Sequence, residues 1–255
     1  MPALAAEADH LLSMRCLGII PARGGSKSIP RKNLAPLGGR PLIAHTCEAA
    51  RAAARLDRVI LSTDDAEIAE TVRALGVDVP FMRPASLAGD TVPMLEVLQQ
   101  AVRALEARDG DRADVVVLLQ PTSPLRRARH IDEAVALLEA SGADSVVSVV
   151  EVPHQFTPGS VLKLDGERVV PYESGPMILR RQDKPRLYAR NGPAIVVVRR
   201  QTLLETGTLY GPHTRPYPMT PEDSIDIDGP LDLEIAAFFL ARETAGEGAR
   251  QGAAV

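Results

Sequence analysis

Short runs of β-branched and aliphatic residues alternate along the chain with longer stretches whose apolar positions recur at helical spacing. The first run, 15–20 (RCLGII), predicts a strand. After a polar loop, residues 41–56 predict a helix opening on Pro41, an allowed first position. Residues 58–62 read as a second strand, and 65–75 as a helix ending at Gly76, a residue suited to a left-handed cap. An extended piece over 77–82, a loop and a helix over 93–107 follow. The segment 114–119 (DVVVLL) is apolar at every position after Asp114, as a central strand covered on both faces should be. A helix over 129–140 and a strand over 144–150 complete another unit. This β-α-β-α alternation predicts an α/β fold, a mostly parallel sheet with helices on both faces.

The rhythm breaks at 151–190, where several prolines and a hairpin signal at Asp165-Gly166 predict an insertion. A strand returns at 194–198, and an amphipathic helix is predicted over 230–241. The flanks, 1–14 and 243–255, carry Ala, Gly and charge without a sustained pattern and are expected to be disordered tails. A single domain over 15–242 is the expectation.

Composition narrows the function classes. The 255 residues carry 29 Lys and Arg against 33 Asp and Glu, a net charge of −4 that argues against a general nucleic-acid binder. Trp is absent and aromatics make up 3%, which disfavours base-stacking platforms. No apolar run approaches the roughly 20 residues of a membrane span. No basic residue precedes Arg15, so no signal peptide is expected and the cytoplasm is the predicted location. Cys16 and Cys47 lie in apolar surroundings and read as buried small hydrophobes.

The loop after the first strand, 21–33 (PARGGSKSIPRKN), places glycines and four cations where open parallel sheets bind ligands. It fits neither the P-loop nor the dinucleotide fingerprint. A nucleoside triphosphate is the natural guest, and a solvated basic turn the plainer alternative. Near the other end, 224–228 (SIDID) alternates apolar and acidic residues, so that Asp226 and Asp228 project together from an extended backbone. Paired carboxylates of this kind suit magnesium shared with substrate phosphates. The alternative is that Asp228 caps the last helix and Asp226 is a surface acid.

Several ordered motifs then resemble one family. IPARGGSKSIPRKNL (20–34), LSTDD (61–65), RPASLAGD (83–90), LLQPTSPLR (118–126), RRQDKPRLYARNG (180–192) and SIDID resemble the acylneuraminate cytidylyltransferases. These are CMP-sialic acid synthetases and relatives acting on other nonulosonic acids or on Kdo. The resemblance implies a Rossmann-like nucleotidyltransferase that joins CMP from CTP to the anomeric hydroxyl of a nine-carbon or related 2-keto sugar acid and releases pyrophosphate. It implies that Arg23 and Lys27 hold the triphosphate, with Ala22, Gly24, Lys32, Asn33 and Arg83 also at the nucleotide. Gln120 is implied at the sugar acid or the cytidine, Arg180, Arg181, Gln182 and Asn191 at the sugar acid, Asp226 and Asp228 at the magnesium ion, and Arg23, Lys27 and Asp228 in catalysis. It further implies a homodimer in which the inserted 151–190 arm reaches over the partner's site.

This sequence departs from the family pattern at three points: Ser28 replaces a glycine, Pro193 follows Asn191-Gly192, and Met94 stands where small polar residues are usual. If position 28 needs a positive φ, Ser28 would be strained. His45 reads as a core or partly buried residue, His130 as a surface residue at a helix start, and the run Arg126-Arg127-Ala128-Arg129 as a solvated helix start, with help in phosphate binding as its alternative. The competing functions are a nucleotidyltransferase using Kdo, another acceptor or another base, and an idle nucleotide- or sugar-binding protein.

Overall fold

In the computed structural model the described residues are 14–173, 178, 180–192 and 194–252. Pro193 and most of the N-terminal segment lie outside them. The main strands are β1 (Cys16–Pro21), β4 (Arg58–Ser62), β5 (Val115–Leu119), β6 (Ser145–Glu151), β9 (Tyr188–Arg190), β10 (Ile195–Arg199) and β11 (Thr214–Met219). Small ribbons are β2 (Pro36–Leu37) with β3 (Arg40–Pro41), and β7 (Leu162–Asp165) with β8 (Arg168–Pro171). The helices are α1 (Leu42–Ala52), α2 (Ala66–Ala74), α3 (Met94–Asp109), α4 (Ala128–Ser141) and α5 (Pro230–Gly252).

The sheet order is β11-β6-β10-β5-β1-β4. β1 runs parallel to β4 and β5, and β11 parallel to β6. β10 is antiparallel to both β5 and β6, so the returning strand at 194–198 enters against the sheet's direction. Val115 to Leu119 are all buried, as their unbroken apolar run requires. Two apolar layers cover the sheet. One includes Ile20, Leu61, Leu119, Ile131 and Leu138, the other Ile19, Leu98, Leu105, Leu118 and Val198.

Helix boundaries follow local chemistry. Pro41 sits outside α1 as its extended N-cap, and α1 stops at Ala52 rather than Leu56. Asp65 caps α2 by accepting from the N–H groups of Glu67 and Ile68, and Gly76 takes φ +78 just beyond its end. The last helix continues past Ala241, its backbone helical to Gly252. The Asp165-Gly166 hairpin forms as predicted, with Gly166 at φ +62. The two short strands of this hairpin are almost wholly exposed.

The 151–190 insertion leaves β6 and rejoins it through β9, whose Arg190 pairs with Val149. β10 resumes the pairing at Val196 opposite Val147. Asn191, Gly192, Ala194 and Ile195 therefore stand opposite the single residue Ser148, a bulge that bends the chain at the sheet's edge. The Ser148 hydroxyl donates to Asn191 Oδ1 (2.6 Å) and accepts from the Ile195 N–H (2.9 Å), which satisfies polar groups the broken ladder leaves over.

Candidate active site

The carboxyl ends of β1, β4 and β5 and the start of the antiparallel β10 lie at one edge of the sheet, because Ile195 pairs with Leu119. Loops from that edge carry most of the residues singled out in the sequence. Ala22 is buried, and its N–H bonds the Ser62 carbonyl (3.0 Å), continuing the β1–β4 ladder into the loop. Gly24 must be glycine: its N–H donates to Asp64 Oδ1 (3.0 Å), and a Cβ there would stand 2.6 Å from an Asp65 oxygen. Asn33 closes the loop from behind, donating to the Arg23 carbonyl (3.0 Å).

The cations this loop presents converge on one carboxylate. Arg23 and Lys27 both pair with Asp90, Lys27 Nζ at 2.6 Å from Oδ2. Hydrogen bonds from Lys27 and Arg23 hold the Asp90 carboxyl below the usual range. Asp90 ends the RPASLAGD segment, which Arg83 anchors. Arg83 is buried, its Nε donating to Ser62 Oγ (3.0 Å) and its Nη2 to the Ser62 carbonyl. Its first contribution is thus the position of the 83–90 loop. Ser28 carries no positive φ; Arg31, at φ 54, takes that conformation instead, so the Ser28 substitution costs no backbone strain. Met94 opens α3 and packs on the layer containing Leu98.

The acidic pair lies on the segment that leads into α5. Ile227 is fully buried with Leu37, Leu42 and Ala236, and Ile225 packs on the same cluster. That anchoring turns Asp226 and Asp228 the other way, as the alternation predicts. Asp232, not Asp228, serves the start of α5: its Oδ2 accepts from the N–H groups of Asp228 (2.9 Å) and Gly229 (2.7 Å). Asp228 stays 85% exposed at its side chain, with Lys32 Nζ 3.8 Å from its Oδ1. Lys32 is held by the Ile227 carbonyl (2.7 Å), which ties the basic loop to the acidic pair.

Asp226 is the less comfortable of the two. Its Oδ1 is buried with no partner among the described residues. Burial pushes its carboxyl up, a hydrogen bond from Thr122 opposes this, and the Asp228 charge adds to the rise. An under-satisfied carboxylate beside a second one is a donor set that suits a hard divalent cation completed by water and substrate phosphates. Among the described residues no group of three or more acidic, His or Cys side chains gathers as a self-sufficient metal centre.

Gln120 reaches the acidic pair through Gly192, its Nε2 donating to the Gly192 carbonyl (3.0 Å). Gly192, at φ +98, lies so close to Asp226 that a Cβ would approach its carboxyl carbon to 2.7 Å. Asn191 does not offer an open contact. It is buried, its Oδ1 accepting from Ser148 and the Ala194 N–H, its Nδ2 donating to Ser224 Oγ (2.9 Å) and Met219 Sδ. With both amide atoms consumed, it holds the bulge in place rather than facing a ligand.

Arg180, Arg181 and Gln182 belong to the arm. Arg180 pairs with Asp183 (3.4 Å) and, with its amide turned so that the oxygen faces Arg180, Gln182 accepts from Arg180 Nε (2.8 Å). Arg181 lines a cleft of about 530 Å³ with His154, Lys184 and Tyr188, floored by Met219. Through Met219 that cleft adjoins Asn191.

Two residues depart from their sequence reading. His130 is buried, because its Nδ1 accepts the Arg127 N–H at the start of α4 while Nε2 faces Asp223 (3.4 Å). Arg126 is not solvated: it is 2% exposed and its neighbours Arg127 and Arg129 alone carry the exposed charge. His45 is partly buried against the Leu37 carbonyl (3.0 Å), and both cysteines are buried thiols pushed up to about 12 by desolvation, as small core residues should be.

Comparisons with known proteins point to one family. The CMP-N,N'-diacetyllegionaminic acid synthase of Legionella pneumophila is 35% identical over 230 residues, covering 89% of this chain and 97% of its own. The pseudaminic acid cytidylyltransferase of Campylobacter jejuni is 30% identical, covering 89% and 96%. The N-acylneuraminate cytidylyltransferase of Escherichia coli is 31% identical over 87% of this chain, which spans about half (51%) of that relative's length. Among solved structures, a CMP:2-keto-3-deoxy-manno-octonic acid synthetase complexed with CTP shares the fold, with a TM-score of 0.65 at 20% identity over 90% of this chain and 99% of that one. No helix among the described residues is long and apolar enough to cross a membrane. A cytidylyltransferase family model matches residues 17–231, a span that takes in both the basic loop and the acidic pair, and the chain belongs to that family of nucleotidyltransferases.

Proposed function

We propose that the protein transfers CMP from CTP to the anomeric hydroxyl of a nonulosonic acid, with release of pyrophosphate. The observation that carries this reading is that the loop presenting Arg23 and Lys27 also carries Lys32, which pairs with Asp228 and donates to the Ile227 carbonyl between the two acidic residues. The names of the relatives supply the acceptor class: legionaminic, sialic and pseudaminic acids. Kdo is supported by likeness of fold alone.

Phosphoryl transfer asks the protein chiefly to position groups and to neutralise charge. Arg23 and Lys27 are the groups for the triphosphate, and their exchange from Asp90 to phosphate oxygens keeps both cations paired throughout. Asp226 and Asp228 would hold a divalent cation, magnesium, which supplies further neutralisation of the phosphates. Lys32 limits the repulsion between that acidic pair and the incoming anion. Arg181, with Arg180 and Gln182, offers a planar cationic fork for the sugar acid's carboxylate, provided that the arm serves the site. The arm's exposed Phe156, Leu164, Val169 and Tyr172 support its use as a dimer contact, with each arm reaching a partner's site. Two free buried cysteines fit a reducing compartment and support the cytoplasm as location.

The test is pyrophosphate release with CTP and magnesium across a panel of nonulosonic acids and Kdo. Release with one or more nonulosonic acids, lost on chelation, is the expected result. Release with Kdo alone would overturn the acceptor class, and absence of CTP binding would overturn the nucleotide assignment.

A further inference from the structure

Arg126 is a buried cation that the reaction as described does not use. It is 2% exposed, and no carboxylate pairs with it among the described residues. Its Nη1 donates to the carbonyls of Gln120 (3.0 Å) and Ala194 (2.8 Å), and its Nη2 to Thr46 Oγ1 (2.6 Å). Nε has no partner. Desolvation pulls the guanidinium down to about 9, which still leaves it charged at neutral pH.

A buried charge without a counter-charge is costly, and an apolar side chain of similar length would fill the same space without that cost. What the guanidinium does that methionine cannot is grip carbonyls of two chain segments at once with a rigid planar fork. Both segments border the site. Gln120 is the first residue after β5, and Ala194 closes the bulge that presents Gly192. The Gln120 carbonyl also receives the Thr46 hydroxyl at 3.5 Å, while its side chain reaches the Gly192 carbonyl. Gln120 is therefore fixed at its backbone by Arg126 and at its amide by the bulge that Arg126 also holds.

We propose that Arg126 is a positioning residue for the acceptor half of the reaction: it sets Gln120 against Gly192 and Asp226, and it acts on the sugar acid through Gln120 without touching it. The inference rests on the proposed function and on the family resemblance that puts Gln120 at the acceptor. It separates Arg126 from the neighbouring Arg127 and Arg129, which serve Asp223.

The experiment is a double-mutant cycle in the full chain. Arg126→Met, Gln120→Ala and the double variant are compared for pyrophosphate release, varying acceptor and CTP separately, with CTP binding measured by calorimetry. A displacement near 1 Å of a substrate-contacting group costs on the order of 100-fold in rate. Arg126→Met is expected to lower kcat/KM for the acceptor by about that factor, to leave the Kd for CTP unchanged, and to add nothing in the Gln120→Ala background. Arg126→Lys, which keeps the charge but not the fork, should recover only part of the loss. Effects of Arg126→Met and Gln120→Ala that multiply, a Gln120→Ala variant with unaltered acceptor kinetics, or an Arg126→Met variant that loses CTP and acceptor alike would overturn the proposal. If Arg126→Met does not fold, Thr46→Val carries the test. It removes one partner of the guanidinium and should give a smaller loss of the same kind, again abolished by Gln120→Ala; a loss that persists there refutes the coupling. A wild-type protein that binds CTP but releases no pyrophosphate with any acid fails the functional reading itself, and the proposal with it.

Discussion

Gly192→Ala is the substitution from which the site's geometry predicts most. Gly192 has φ +98, where a residue with a Cβ is strained by about 1–3 kcal/mol. The new methyl carbon would also stand 2.7 Å from the Asp226 carboxyl carbon and 2.8 and 2.9 Å from its oxygens. Carbon atoms rest at roughly 3.5 Å or more, so the carboxylate must retreat by about 0.8 Å. It cannot do so freely, because the Ile227 N–H is bound to the Thr122 carbonyl (2.8 Å) and Ile227 is buried. Metal ligands tolerate displacements of about 0.2 Å. The substitution should therefore cost about 1–3 kcal/mol in urea unfolding and, separately, raise the magnesium concentration needed for half-maximal pyrophosphate release. The two readouts discriminate, since strain alone lowers stability without changing the metal titration. A variant that loses stability but titrates with magnesium as the wild type does would refute the placing of Asp226 as a ligand shaped by Gly192.

Three further outcomes are expected. Asp90→Asn frees Arg23 and Lys27 from an internal competitor, so CTP should bind severalfold tighter in low-salt calorimetry, with the difference narrowing as salt screens the charges; weaker binding would mean that Asp90 preorganises the cations instead. Asp223 is buried, yet contacts from His130, Thr220 and Arg127 outweigh that burial and hold its carboxyl below the ordinary value. A carboxyl lowered in the folded state contributes stability above the unfolded value of about 3.9 and loses it as pH falls through the folded one. Asp223→Asn should cost about 1.5–3 kcal/mol at neutral pH, and chemical denaturation should show the gap to wild type closing under acid conditions; a gap independent of pH would exclude the charge as its source. Leu164 is 79% exposed on the arm, so Leu164→Asp should turn the proposed dimer into a monomer by light scattering while leaving the melting temperature of the isolated chain unaltered; an unchanged mass would remove the arm's hairpin from the proposed interface.

What the sequence could reveal follows from how far each signal reaches along the chain. Val115 to Leu119, Arg58 to Ser62 and the Asp165-Gly166 hairpin are specified by adjacent residues, and they form where the pattern places them. The alternation of Ile225 and Ile227 with Asp226 and Asp228 likewise survives, because an apolar cluster beneath the pair enforces it. The direction of β10 is not a local property. The run IVVVR reads the same parallel or antiparallel, and only the arm's return through β9 decides which end enters the sheet. β11 is similarly illegible, since two prolines interrupt TRPYPM; as the terminal strand of the sheet order it can spare those N–H groups.

The buried cation is the sharper case. Arg126, Arg127 and Arg129 are alike in composition, and a run of arginines at a helix start is ordinarily solvated. Arg126 precedes the extended N-cap Arg127, so its side chain leaves in a direction set by the β5 loop rather than by the helix. Its partners, Thr46, Gln120 and Ala194, lie 80, 6 and 68 residues away. No window of sequence contains them together. The site's charged surface is therefore readable as residue types in a loop, whereas the part that Arg126, Asn191 and Gly192 play in fixing its geometry is visible only once the bulge opposite Ser148 brings distant carbonyls and amides within hydrogen-bond reach.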